Sequence, residues 1–104
     1  VASTWRKNML SRKQIEQRKY IRPEIMFVAK EMEKTMRKHD GSKGDSWRTC
    51  DIFYLMEKLI EEKNEVENAF DNLIYHDFKD GGQFRGEIVD LANVCMMLWN
   101  RKDG

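Results

Sequence analysis

Residues that end helices and start turns are scarce in this chain, and this scarcity constrains its fold more than any other feature. Only one proline and six glycines occur in 104 residues, which is too few for the repeated turns of a β-sandwich or barrel. Glu, Lys, Arg, Met and Leu, which favour helices, dominate instead. A chain of this length fits one compact domain. We therefore expect an all-α protein, folded as a bundle of four to five helices.

Apolar residues recur at helical spacing in several segments, and the breaks between these segments set the expected helix boundaries. Pro23 suits the first turn of a helix that should run to about Lys38. The Gly- and Ser-rich stretch 39–46 predicts a loop, and residues 76–85 predict another because they contain paired glycines. The longest amphipathic pattern lies between these two breaks, so we expect that helix to be central. A final helix should span about 86–100.

Charge divides the chain into two parts. Of 19 basic and 18 acidic residues, seven basic residues but only one acidic residue, Glu16, lie within residues 1–22. We predict a basic N-terminal arm or short helix over 1–22 and the main helical domain over 23–104. A basic arm can bind nucleic acid phosphates, so a non-catalytic helical interaction module is one alternative function. The net negative charge of the remaining residues makes nucleic acid the less favoured partner.

The two cysteines, Cys50 and Cys95, indicate neither a disulfide framework nor a zinc site. They show no CxxC or Cys/His spacing, and a cysteine pair in a methionine-rich chain is typical of a cytosolic protein. No apolar run approaches the ~18 residues of a membrane span, and the N-terminus lacks the apolar core of a signal peptide. The pattern favours a cytoplasmic protein that has no membrane partner.

Two pairs of acidic residues have helical i, i+3 spacing: Glu62 with Glu65, and Glu87 with Asp90. Residues three apart lie on one side of a helix, so two such helices packed together would bring four carboxylates into one cluster. At about 100° per residue, Glu62 falls within the apolar stripe of its helix and Glu65 lies at the edge of that stripe. Glu61 points away from the stripe, and we assign it to solvent.

The surroundings of Glu87 and Asp90 strengthen this expectation. They are the only charged residues between Arg85 and Arg101, in a segment that is otherwise apolar on nearly all sides. Burying an ionised carboxylate is costly unless a proton, a salt bridge or a metal compensates. Arg85, Lys63 or the basic arm could form such salt bridges, which are the alternative to a metal. Carboxylate oxygens without His or Cys at useful spacing select Mg²⁺, or Mn²⁺ in its place, and the absence of Glu-x-x-His argues against di-iron.

The order of these motifs resembles that of the MazG-like, all-α nucleoside triphosphate pyrophosphatase superfamily. The superfamily signature is EExxE followed by ExxD, and this chain has Glu61-Glu62-x-x-Glu65 followed by Glu87-x-x-Asp90. The loop Lys43-Gly44-Asp45-Ser46-Trp47 and the segment Asp90-Leu91-Ala92-Asn93 look like those of phage-type members identified as dATP/dGTP diphosphohydrolases. The resemblance covers residues 24–101 and implies that the helical domain is the catalytic one.

The resemblance implies an enzyme that hydrolyses a (d)NTP to the nucleoside monophosphate and pyrophosphate, with a role in the nucleotide pool. Such an enzyme needs Mg²⁺ and an oriented water but no protein nucleophile. The implied catalytic residues, which also serve as metal ligands, are Glu62, Glu65, Glu87 and Asp90. The implied substrate-binding residues are Lys43, Trp47, Arg48 and Asn93.

The substrate-binding residues also fit simpler roles. Lys43 and Arg48 are candidates for phosphate contacts, but Lys43 equally fits a solvated loop residue. Trp47 fits either stacking on the base or capping the core. Asn93, one turn beyond Asp90, fits a contact with the sugar, a contact with a metal-bound water, or a satisfied core amide. A catalytically silent relative of the superfamily is a further alternative.

The final helix also bears on oligomeric state. It is apolar on more sides than a four-helix monomer of this size can cover, so we expect a homo-oligomer, either a dimer or a tetramer. The family resemblance points the same way.

Overall fold

The computed structural model describes residues 21–101 of the chain. Within this range it contains three α-helices, α1 (Pro23–His39), α2 (Ile52–Tyr75) and α3 (Gly82–Asn100), and a short 3₁₀ helix, Ser46–Arg48. No strand occurs among the described residues, which confirms the all-α prediction. The basic arm predicted over 1–22 lies outside the described range apart from its last two residues, and so does the helix expected there.

Local hydrogen bonds and backbone conformations explain where α1 and α2 begin and end. Pro23 occupies the first turn of α1, where its missing N–H leaves no intrahelical bond unmade. The Asp51 side chain caps α2 by accepting a hydrogen bond from the Phe53 N–H at 3.0 Å. After α2, Asp77 and Phe78 take the left-handed backbone conformation, with φ of 54° and 60°, and this conformation stops the helix.

The beginning of α3 differs from the prediction. α3 starts at Gly82, inside the stretch predicted as a loop, because the Gly82 N–H donates to the Asp80 side chain at 3.1 Å. The extra turn carries Phe84, whose ring centroid lies 5.5 Å from that of Phe70 on α2. An aromatic pair of this kind contributes about 1 kcal/mol, which offsets the low helix propensity of the glycine.

α3 packs against both α1 and α2, so it is the central helix of the described part. The prediction that α2 is central was wrong. α2 carries the longest single apolar stripe, but α3 is apolar on more sides and can therefore bury two faces. Among residues 21–101, few apolar side chains are buried: Trp47, Leu55, Ala69 and Val94.

Many large apolar side chains of the described residues remain exposed. Phe27 on α1, Phe53 and Tyr75 on α2, and Trp99 on α3 have exposed fractions of 66%, 73%, 83% and 88%. These side chains are spread over all three helices. Between residues 21 and 101, no helix combines the length and the apolar character needed to cross a membrane.

Candidate metal centre

Three carboxylates from two packed helices meet at the α2–α3 contact. Glu62 on α2 and Glu87 and Asp90 on α3 each offer an oxygen, and these oxygens lie within 4.8 Å of one another. All three side chains are half-buried. The i, i+3 spacing of Glu87 and Asp90 turns both toward α2, and Glu62 lies on the α2 stripe that packs against them. The convergence predicted from helical spacing is therefore present for these three residues.

Glu65, the fourth predicted member, lies at the rim of this cluster. It is exposed, unlike the other three, and it follows Glu62 by one helical turn. Its carboxyl is within hydrogen-bonding reach of the Glu62 and Glu87 carboxyls when one group of a pair holds a proton. Glu65 thus contacts two members of the cluster while remaining open to solvent.

The proximity of these acids makes the charged state unfavourable. Burial is the main reason that the pKa of Glu62 is raised to about 7, and the neighbouring carboxyls, beginning with that of Glu65, add to the rise. Burial also raises the pKa of Glu87, with Glu65 as the next cause. The pKa of Asp90 is raised by burial, although His39 opposes the rise. Protons or a cation must balance this charge.

Two oxygens of the cluster are left without a hydrogen-bond partner in the described structure. Glu62 Oε2 and Glu87 Oε2 are both buried and unpartnered. A buried carboxylate oxygen without a partner destabilises the fold, and a small hard cation between the two helices would satisfy both oxygens at once. Oxygen-only ligation of this kind suits Mg²⁺ or Mn²⁺. The residues present therefore fit a divalent metal.

Glu61 lies outside the cluster, as its position on the helical wheel predicts. It is exposed, and its Oε2 lies 3.2 Å from Lys58 Nζ. From the sequence, Lys63 was a candidate salt-bridge partner of Glu87 and Asp90. Its Nζ instead lies 3.1 Å from Glu67 Oε1.

A cavity of about 300 Å³ adjoins the carboxylates, since Glu62 and Asp90 line it. Three of the four predicted substrate-binding residues, Lys43, Trp47 and Asn93, also line it. The structure therefore brings most of the predicted substrate site together beside the predicted metal site.

Arg48, the fourth predicted substrate-binding residue, does not belong to the cavity wall. Its guanidinium carbon lies 4.4 Å from the centroid of the Trp47 ring, and its Nε lies 3.4 Å from Asp45 Oδ1. Trp47 is only 8% exposed and its carbonyl accepts a hydrogen bond from Arg101 at 3.1 Å. Trp47 is thus both a core residue and a wall of the cavity, with Arg48 against its ring.

Asn93 is partly explained by packing. It is 4% exposed, and its Nδ2 donates to the Met32 carbonyl at 3.2 Å, which ties α3 to α1. Its Oδ1 is buried without a hydrogen-bond partner in the described structure. The amide is therefore a half-satisfied core group at the edge of the cavity.

Several polar residues of the cavity wall were not predicted as site residues, among them His39, Tyr54 and Lys58. The sequence did carry a signal for Lys58, because it precedes Glu62 by four positions and so lies on the same side of α2. Tyr54 carried the same signal, since it precedes Lys58 by four positions. His39 gave none, because its place on the wall depends on how α1 packs against α3.

No family model, no curated protein and no solved structure matches this chain. The MazG-like affiliation is therefore not shown and stays a sequence-based expectation.

Proposed function

We propose that this protein is a Mg²⁺-dependent nucleoside triphosphate pyrophosphohydrolase of the MazG-like type, converting (d)NTP and water to (d)NMP and pyrophosphate. The proposal is carried by the cluster of Glu62, Glu87 and Asp90, whose unpartnered oxygens lie beside a cavity of about 300 Å³. That volume is at the small end of the range of about 300–1,000 Å³ for small-molecule sites. A ligand in this cavity would lie against the metal ligands, because two of them form part of its wall.

The four acids divide into a central group and a rim residue. Glu62, Glu87 and Asp90 would hold the metal, and Mg²⁺ there would neutralise phosphate charge and lower the pKa of a bound water. Glu65 is the exposed member and contacts two of the others. It is therefore the carboxylate best placed to orient the attacking water and accept its proton.

The remaining residues of the site bind the nucleotide. Lys43, on the loop after α1, neutralises phosphate oxygens, and Trp47 provides a flat apolar wall for the base. Asn93 lies one turn beyond Asp90 and offers its unpartnered amide oxygen, Oδ1, to the sugar or to an ordered water. Arg48 supports the Trp47 ring through the cation–π contact described above. Such an enzyme would act on the cytoplasmic nucleotide pool.

The proposed assembly is a homo-oligomer, either a dimer or a tetramer. Large apolar side chains exposed on all three helices, including Phe27, Phe53 and Trp99, support it. Sedimentation equilibrium at micromolar concentration should give a multiple of the chain mass. A mass equal to one chain would remove this part of the proposal.

Incubation with Mg²⁺ and a panel of NTPs and dNTPs tests the reaction. Product analysis should detect a monophosphate and pyrophosphate in equal amounts, and release should stop with EDTA or in a Glu62→Gln variant. Diphosphate and orthophosphate as products would contradict cleavage between the α and β phosphates. Unchanged nucleotides across the whole panel would contradict the enzymatic function.

A further inference from the structure

Lys58 lies on α2 between the cavity and the solvent-exposed face of the helix that carries Glu61 and Glu67. Its Nζ lies 3.2 Å from Glu61 Oε2 and 5.8 Å from the centroid of the Tyr54 ring. Its side chain is 31% exposed and lines the cavity together with Glu62. The hydrogen bond to Glu61 is the main reason that the pKa of Lys58 is raised, so the amine keeps its charge.

The cavity needs cations if an anionic ligand is to enter it. Two acids of the metal cluster form part of its wall, and their charge repels a phosphate chain. Lys43, from the loop after α1, lies on the wall, and Lys58 adds a second cation from α2. Two separate segments thus bring basic groups to one cavity.

We propose that Lys58 binds the phosphate chain of the nucleotide and that Glu61 is a positioning residue that holds Lys58. This inference rests on the proposed function, since it assigns part of the same substrate site. A lysine ammonium has three donors, so Lys58 can keep one hydrogen bond to Glu61 and give the others to phosphate oxygens. Being held by Glu61 and by the Tyr54 ring lowers the conformational entropy that the side chain loses when ligand binds. Glu61 therefore serves the site through Lys58 and makes no contact with the metal.

The chain offers a matched control for an ion pair with no such role. Lys63 and Glu67 form a pair on the same helix at 3.1 Å, with side chains 62% and 59% exposed, and neither lines the cavity. Exposed pairs of this kind contribute little to stability. Variants of either pair should therefore fold, which leaves ligand binding as the property that separates them.

Calorimetry with Mg²⁺ and an α,β-imido deoxynucleoside triphosphate, which resists cleavage at the proposed bond, tests the inference without requiring turnover. Lys58→Gln should weaken binding by about tenfold or more, because it removes a charged donor to phosphate. Glu61→Gln should weaken it by about threefold, as expected for the loss of one exposed ion pair, and should have no further effect in the Lys58→Gln background. Lys58→Arg should restore most of the affinity, and Lys63→Gln should match the wild type.

The outcomes separate the inference from the proposed function. Equal binding by Lys58→Gln and Lys63→Gln in a protein that still releases pyrophosphate would overturn the inference alone. Binding of the analogue that depends on Lys58, in a protein that hydrolyses no nucleotide, would support the phosphate site and overturn the reaction. Reduced affinity of Glu61→Gln for Mg²⁺ alone would show that Glu61 acts on the metal, and would overturn its positioning role.

Discussion

On the outer face of α2, glutamates pair with lysines of the same helix. Glu61 lies 3.2 Å from Lys58, and Glu67 lies 3.1 Å from Lys63. On the inner face, Glu62 is half-buried and faces the carboxylates of α3. Glu61 and Glu62 are adjacent in sequence, so the rotation of about 100° per helical residue, and not residue type, decides which partners each one meets.

The two faces differ in what they do for the fold. An exposed ion pair such as that of Lys63 with Glu67 contributes about 0.2–1 kcal/mol and needs no further partner. The inner acids raise one another's pKa and leave oxygens of Glu62 and Glu87 unpartnered, so without a ligand they oppose folding. A local feature that opposes folding is expected where it serves a site. The comparison therefore supports the proposal that the inner acids hold a cation.

The largest expected separation between the faces is in catalysis. Glu62→Gln or Asp90→Asn should lower pyrophosphate release by about 100-fold or more, because each removes a proposed metal ligand. Glu67→Gln, on the outer face, should stay within about twofold of the wild type, as expected for a surface substitution. Steady-state kinetics at saturating Mg²⁺ measures both. Similar losses on the two faces would end the distinction between them.

The second expected difference between the two faces is in how stability depends on pH and on bound metal. The pKa of Glu62 is raised from 4.5 to about 7, so between these values the folded chain holds a proton that the unfolded chain has released. The free energy of unfolding of the metal-free protein should therefore fall as pH rises through this window, and the raised pKa values of Glu87 and Asp90 act in the same direction.

In the proposed function Mg²⁺ would take the place of those protons, so its effect on thermal unfolding should grow with pH. The gain in Tm should rise from near zero at about pH 5 to on the order of 5 °C at about pH 8. Differential scanning calorimetry with and without Mg²⁺ measures this. Glu67→Gln should keep the gain and Glu62→Gln should lose it. An equal gain at both pH values would mean that the metal binds elsewhere.

The smallest expected difference is in the stability of the metal-free protein. Substitutions on the two faces should change the free energy of unfolding in opposite directions. Glu62→Gln should stabilise the protein by up to ~1 kcal/mol in urea unfolding with EDTA at about pH 8, since it removes one of several mutually repelling charges. Glu67→Gln should cost about 0.5 kcal/mol or less, the contribution of an exposed pair. Destabilisation by Glu62→Gln would show that this carboxylate has a favourable partner within the fold.

Helical periodicity predicted much of the fold because it depends on local residues. The start of α1 follows from Pro23, and the apolar stripe of α2 is visible in its spacing. The start of α3 was missed because one hydrogen bond from Gly82 to Asp80, together with the Phe70–Phe84 contact, overrides the paired glycines. The central position of α3 could not be predicted from the length of one apolar stripe. A central helix is one that packs against neighbours on more than one face, and α3 packs against both α1 and α2.

The same division applies to the site. Glu62, Glu87 and Asp90 could be predicted because each lies on an apolar face where a lone charge is out of place. His39 could not, because it joins the cavity wall only when α1 packs on α3. Arg48 was predicted to contact phosphate, yet it lies against Trp47 away from the cavity wall, and sequence spacing gave no information about that side-chain direction.

Direct metal binding tests the central claim, that the inner acids form a divalent cation site, without any assumption about substrate. Mn²⁺ can be titrated into the protein while electron paramagnetic resonance follows the signal of free Mn²⁺. The wild type and Glu67→Gln should bind Mn²⁺ with equal affinity, and Mg²⁺ should displace it. The double variant with Glu62→Gln and Asp90→Asn should bind at least about tenfold more weakly. Wild-type protein that leaves Mn²⁺ free, or a double variant that binds it as tightly as the wild type, would contradict the claim.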